Sequence, residues 1–452
     1  MGIVTGRLLK RSNLLAASRC ALFFFLCLFA PAFPPINSIA AAPAIETQWG
    51  GYLRAVGTRS WQDRQSIYQL VEGGGPLDDF QGETRLKSET FAGEAWSLEI
   101  HYELVALHGD TVSQNSALRQ LLTPAAAELL VGSDTIDDQR RLMSLTRVID
   151  ENDDRVVYHR LDRLNITHAA GWGTIRLGRQ ALTWGNGMIF NPMDLFNPFA
   201  PTSVLRDYKV GDDMLHLQLP LDQDELQLLH VPRRDPATGE VDDAEASWAT
   251  KWHTTAAGLD LDLMAARHFE DHLLGIGANG YLSAATWRAD ALYTRLHSDD
   301  TRADFLQIVV NSDFAWQLGG KNVYGLLEYY YNGLGQPDDY EKALTDPVLV
   351  VRLERGELFT LGHNYLGCLM QYEAHPLIQP STTLIVNLDD PSALIQLQLT
   401  WDAATNLQLI AGGRFHWAGD NTEYGGFNTT LSDTNIRVAA TESAFLWLTW
   451  YF

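Results

Sequence analysis

From about residue 46 onward the chain repeats one pattern: roughly ten residues of alternating apolar and polar character, then a turn. Trp96, Leu98, Ile100, Tyr102 and Leu104 alternate with Ser97, Glu99, His101 and Glu103. Ile395, Leu397, Leu399 and Trp401 alternate with Gln396, Gln398 and Thr400. A period of two places each apolar set on one face of a strand. Applied along the chain, it predicts strands at 46–57, 82–91, 94–107, 155–169, 172–181, 207–219, 224–231, 248–256 and 258–269. It continues at 272–281, 284–297, 303–316, 322–333, 360–374, 378–389, 393–402, 406–417 and 436–452. That makes eighteen, an even number as a bacterial barrel requires; sixteen is the alternative if two weak segments drop out together.

Alternation alone suits a soluble sandwich as well as a membrane barrel. Three features favour the barrel. Aromatic residues (Trp96, Trp287, Tyr293, Trp401, Trp417) stand toward the ends of the apolar faces, where interfacial girdles belong. Charges on the polar faces fall mid-strand, where a lumen hydrates or pairs them. The last segment carries Leu446, Leu448, Trp450 and Phe452 on one face and ends on an aromatic residue. A bare hydrophobic terminal strand is an aggregation hazard in a soluble protein. The ending resembles the signal read by the outer-membrane barrel assembly machinery. The expected fold is therefore all-β, a transmembrane antiparallel β-barrel with long extracellular loops at 108–154, 182–206 and 334–359.

The first 42 residues change the picture of location. Arg7, Lys10, Arg11 and Arg19 precede an apolar core at Ala21–Phe33, and a run of small residues comes after it. This reads as a cleaved signal peptide over 1–42, leaving one barrel domain over 43–452. The whole chain has 33 basic and 56 acidic residues, a net charge of −23. Without the leader 29 basic residues remain, a net −27, which argues against nucleic acid as a partner. Of three cysteines only Cys368 lies beyond the leader, so no intramolecular disulfide forms in the mature chain. No zinc-ligand spacing, calcium loop, phosphate loop or nucleophile elbow is present, so neither metal, cofactor nor enzyme activity is expected.

The densest motif lies at 177–221. Gly178-Arg179-Gln180 ends a strand, and Trp184-Gly185-Asn186-Gly187 turns the chain. Asn191-Pro192, Asp194 and Asn197-Pro198 punctuate the next stretch, and Arg206-Asp207 opens the next strand. The aromatic and Asn-Pro content suits a loop folded into the lumen, with Arg179 and Arg206 holding it through Asp194 or Asp207. Such a loop is either a constriction that selects solutes or a clamp on the wall. These residues, with Glu328-Tyr329-Tyr330-Tyr331-Asn332-Gly333, His375-Pro376-Leu377 and Asn387–Ser392, resemble a group of proteobacterial outer-membrane porin-like barrels, distantly akin to the alginate-export type. The resemblance implies a channel of about eighteen strands and does not fix the solute.

The polar faces nominate lumen residues Arg85, Lys87, Glu89, Glu99, His101, Glu103, Arg160, Asp162, Arg176, Asp260, Asp262, Arg288, Asp290, Glu328 and Arg414. Arg288 and Asp290, two apart on one face, are expected to neutralise each other. No ring of one sign emerges, so no ion selectivity is assigned. The functional expectation is a channel, monomeric or trimeric, in the outer membrane of a Gram-negative bacterium, passing a small solute or polysaccharide. Outer-membrane lipid and lipopolysaccharide are its expected surroundings. The alternative is a plugged barrel whose loops bind a polysaccharide or a partner protein.

Overall fold

A computed structural model describes residues 44–452 apart from 64, 72–74, 122–135, 137, 197, 199–207, 298–301 and 432–433. The expected signal peptide and the site residues Asn197, Arg206 and Asp207 lie outside the described residues. The chain opens with β1 (Ile45–Trp61), β2 (Leu77–Ala92), β3 (Trp96–Gly109), β4 (Thr146–Asn152), β5 (Arg155–Ala170), β6 (Gly173–Gln180) and β7 (Asp212–Leu221). Next come β8 (Asp224–Arg234), β9 (Val241–Ala256), β10 (Leu259–His268), β11 (Asp271–Leu282), β12 (Ala285–Arg295), β13 (Phe305–Leu318) and β14 (Lys321–Asn332). The last set is β15 (Asn364–Tyr372), β16 (Ile378–Asn387), β17 (Ser392–Ala404), β18 (Leu407–Trp417), β19 (Phe427–Leu431), β20 (Thr434–Val438) and β21 (Glu442–Tyr451).

Setting aside β4 and the β19–β20 hairpin, eighteen strands pair antiparallel with their sequence neighbours, and β21 closes on β1. Eighteen strands about 4.8 Å apart and tilted about 40° enclose a ring roughly 36 Å across between backbones. Each of the eighteen predicted segments overlaps one of these strands. An even count puts both ends of the ring on one rim. That rim carries tight turns, such as Ala257-Gly258 and Gly319-Gly320, whose paired positive φ angles match the twist of the strands they join. The other rim carries the long loops, with α1 (Asp110–Leu121), α2 (Tyr340–Ala343) and α3 (Pro347–Glu354). Pro347 opens α3 after Asp346, whose carboxylate caps the amides of Val348 and Leu349. Among the described residues no helix is long and apolar enough to cross a membrane.

The apolar faces point outward. Trp49, Trp96, Trp252, Trp401 and Trp450 are exposed toward the short-turn rim, and Trp61, Phe80, Tyr293, Tyr329 and Trp417 toward the loop rim. Leucines such as Leu53, Leu98, Leu263, Leu397 and Leu448 fill the band between them. An exposed apolar band between two aromatic girdles is the surface of a membrane-spanning barrel. At the seam, Leu448 faces Ala55 and Trp450 faces Leu53. Gly51 and Phe452 exchange backbone hydrogen bonds of 3.0 and 3.1 Å.

The wall has one irregular place. β6 pairs with β5 only over Leu164–Ala170, so the upper half of β5 has no β6 beside it. The segment β4 folds back onto that edge, pairing Thr146 with Arg160 through to Asn152 with Arg155. Ahead of it, Arg141 bridges Arg233 on β8. A piece of the loop between β3 and β5 thus completes the wall above β6 and β7. Val148 and Ile149 on this patch are exposed, as outward wall residues are elsewhere.

Candidate constriction of the lumen

The segment 181–211 leaves β6 and turns into the barrel. Its first turn needs glycine: Gly185 has φ +89°, and a Cβ there would lie 2.2 Å from Asn191 Oδ1. Asn191 Nδ2 donates to the Trp184 carbonyl at 3.0 Å, closing the turn. Trp184 is buried, and its indole N–H donates to Gln227 Oε1 at 2.8 Å on β8.

Wall carboxylates then capture the loop backbone. Asp290 on β12 accepts from the Asn186 amide at 2.5 Å and from Asn186 Nδ2 at 2.7 Å. Glu328 on β14, with no exposed surface, accepts from the amides of Met188, Ile189 and Phe190 at 2.7, 3.0 and 2.6 Å. Asn311 on β13 joins them, donating to Glu328 Oε2 and to the Asn186 carbonyl, both at 3.1 Å. Ile189 touches β15, where a Cβ on Gly367 would lie 2.6 Å from Ile189 Cδ1. β15 is nine strands from β6 in a ring of eighteen. The loop therefore reaches the opposite wall and crosses the lumen.

Apolar packing fixes both limbs. Phe190 stacks on Tyr330 with ring centroids 4.6 Å apart and joins Val309, Tyr365 and Ile385. Met193, Leu195 and Phe196 return along the inner wall against Met214, Leu229, Val231, Met264 and Leu292. Burying side chains of this size contributes about 1.5–3 kcal/mol each. The inner wall from β7 to β12 is thus apolar where the loop covers it and polar elsewhere.

The far end of the loop rests on a charged brace formed by β1 to β5. Arg85 donates to Asp162 at 2.7 Å and to Glu103 at 2.9 Å. Arg160 pairs with Glu103, and Tyr52 donates to Glu83. A register shift opposite His101 and Tyr102 makes Asp162 an extra residue, so Arg160, Asp162 and Arg163 converge. Arg163 donates to Asp162 at 2.8 Å and to the Lys209 carbonyl at 2.7 Å, and the Gly211 amide donates to Asp162 at 3.1 Å. Tyr208 lies over Arg85 and Lys87, 4.7 and 4.2 Å from its ring centroid.

Several expected pairings are replaced. Arg179 does not hold Asp194. It donates to Asp213 at 2.9 Å and to Asp138 at 2.9 Å, and also reaches the Met143 carbonyl, tying the wall patch to the foot of the loop. Burial opposes the charge on Asp138, but Arg141 and Arg179 hold its carboxyl below the usual carboxylate range. Asp194 pairs with Lys209, and burial pushes its carboxyl up to about 7 in spite of that partner. Arg288 does not neutralise Asp290; it pairs with Asp313 at 2.6 Å, leaving Asp290 to the loop.

The other candidates are dispersed around the ring. Glu99 meets Asn165 at 2.8 Å and His101 at 3.2 Å, and Arg176 donates to Thr167 at 3.1 Å. Asp260 accepts from Thr255 at 3.0 Å, whereas Asp262 stands 3.5 Å from Lys251. Glu89 is exposed, and Arg414 is half-buried on β18. Sequence reasoning missed Asn186, Phe190, Tyr208, Lys209 and the partners Asp138 and Asp213. Of these, only the Trp-Gly-Asn-Gly turn carried a local signal.

A second knot ties the outer loops together. Glu423 accepts from Leu361 N at 2.8 Å, Tyr365 Oη at 2.6 Å and Asn387 Nδ2 at 2.7 Å. Its burial raises the carboxyl to about 7. Nearby, Glu357 is buried as well, yet His268, Arg355 and Arg352 hold it down to about 2.

No protein-family model matches the sequence, and no curated protein matches it. Solved structures share the fold. Acinetobacter baumannii OccAB1 superposes with a TM-score of 0.52 at 10% identity, covering 92% of this chain and 99% of that one. A doubly substituted form of OccD1 (OprD) gives 0.51 at 10% identity, covering 91% and 97%. Both support the closed eighteen-stranded barrel. They lend no support to a kinship with alginate-export barrels.

Proposed function

We propose that this chain is a channel of the outer membrane of a Gram-negative bacterium, through which a small solute diffuses past the 181–211 loop. The observation that carries this reading is the crossing itself. A loop that leaves β6, is pinned by Asp290 and Glu328 and touches β15 narrows the lumen. The inward faces of β1–β5 carry polar and charged side chains such as Lys87 and Glu99, the character expected of the inner surface of a water-filled barrel. The likeness in fold to OccAB1 and OccD1 supports the same reading. On this reading 1–42 is an export signal, the short-turn rim faces the periplasm and the loop rim faces outward. Leu446, Leu448, Trp450 and Phe452 serve assembly, and the acidic outer loops meet lipopolysaccharide through divalent cations.

Planar bilayers test it. Purified protein should insert as discrete current steps. A correctly folded protein that inserts without conductance would favour the plugged barrel instead, its loops serving as a binding surface.

A further inference from the structure

Between the crossing loop and the outer segment 357–360 lies a cavity of about 350 Å³. Met188, Ile189 and Phe190 border it on one side, and Leu358 and Phe359 on another. Phe359 is 41% exposed. Thr360 also lines the cavity; it is 3% exposed, and its hydroxyl has no hydrogen-bond partner among the described residues. Buried polar groups are normally satisfied, so an orphan hydroxyl at a cavity wall marks a place for a partner from outside.

Charge at the cavity is already spent. Asp194 closes on Lys209, a pair that is fully ionised only above about pH 7. Glu357 is enclosed by His268 at 3.2 Å, Arg355 at 3.8 Å and Arg352 at 3.9 Å. A solute carrying a full charge would surrender hydration against apolar walls with no uncommitted counter-ion among these groups. A neutral solute loses far less, and a ring gains contact area against Phe190 and Phe359. We infer that the cavity is a docking site for an uncharged amphipathic solute, a ring bearing hydroxyl groups, ahead of the constriction. This rests on the channel reading, whose solute class it names.

Three probes of one skeleton separate the possibilities: 3-hydroxybenzyl alcohol, 3-hydroxybenzoate and 3-hydroxybenzylammonium, each added at about pH 8, where Asp194 is ionised, to single channels of the full-length protein. The alcohol should interrupt the current with a dissociation constant about tenfold below either ion. Thr360→Val should weaken the alcohol at least threefold. An ion that binds as tightly as the alcohol, or an alcohol indifferent to Thr360→Val, overturns the proposal. Saturation-transfer NMR on the detergent-solubilised protein keeps the two readings apart. Conductance without alcohol binding sinks the site alone. Binding that is sensitive to Thr360→Val in a protein that never conducts upholds the site and sinks the channel.

Discussion

Glu328→Gln is the sharpest perturbation of the constriction, because it changes charge and hydrogen bonding at almost constant volume. In the native side chain one carboxylate oxygen accepts from Ile189 and Phe190, and the other from Met188 and Asn311. Glutamine keeps one oxygen and offers an NH2 in place of the other. Wherever the amide is turned, two donors then meet a donor. With the NH2 turned to the second position the two are the Met188 amide of the loop and Asn311 on the wall, so docking of the loop loses one bond to a charged group, about 1.5–3 kcal/mol. That multiplies the undocked population roughly 10- to 150-fold. The loop keeps its two bonds to Asp290 and the burial of Phe190, so it should flicker rather than stay open. Single-channel recordings of Glu328→Gln should show brief upward excursions, and the Asp290→Asn, Glu328→Gln double variant a higher mean conductance. The barrel's heat-modifiable mobility on gels confirms folding in each case. Unchanged current and noise in a folded double variant would refute the claim that these carboxylates hold the constriction.

Three further outcomes rest on the same geometry. Arg179→Met removes one side of a buried ion-pair set, which costs about 3–5 kcal/mol, so the patch from Asp138 to Asn152 should become cleavable by trypsin while the rest of the barrel resists. Gly51→Ala places a Cβ 2.2 Å from the Arg85 carbonyl and 2.8 Å from the Phe452 ring, so the folded fraction in outer-membrane preparations should fall; Gly57→Ala, with no atom within 4 Å, should be neutral. The pH response comes from Asp194 and Glu423, whose folded values of about 7 lie above the roughly 4 of an exposed carboxyl. A docked loop therefore holds more protons than a released one, and docking weakens as pH rises. The penalty is absent below about pH 4 and complete above about pH 7. Hydrogen exchange at the Asp194 and Leu361 amides, corrected for intrinsic rates, should show opening that increases from about pH 4 to pH 7 and then levels off; Asp194→Asn and Glu423→Gln should each flatten it at their own site.

The strands were legible because a barrel wall asks one simple thing of each segment. Alternate residues must tolerate lipid and the others must tolerate the lumen, and that requirement is written within ten consecutive positions. Two of the places where the strand limits depart from the expected ones share a cause; elsewhere β2 and β9 start five and seven residues early, and the segment predicted at 436–452 divides between β20 and β21. The strand predicted at 207–219 begins at Asp212 in the structure, because Tyr208–Gly211 belong to the loop foot held by Arg163 and Asp162. The patch β4 lies within a stretch that reads as one long connection. Its wall role depends on the shortness of β6, a property of another part of the chain.

The charges were legible by face and illegible by use. Alternation assigns Glu328, Asp290 and Arg288 to one face of their strands, but a face says nothing about what arrives there. Glu328 meets the loop only because β14 stands eight strands around the ring from β6 and the loop is long enough to reach it. Arg288 finds Asp313 on β13, and that register frees Asp290 from the neighbour two residues away that sequence spacing offers it. A sign count of lumen residues therefore overstates the field in the passage, since Arg85, Glu103, Arg160 and Asp162 largely cancel within one brace. What selects a solute is the set of groups that closure of the ring leaves uncommitted. Phe359 and the hydroxyl of Thr360 are in that set, and neither carries a charge.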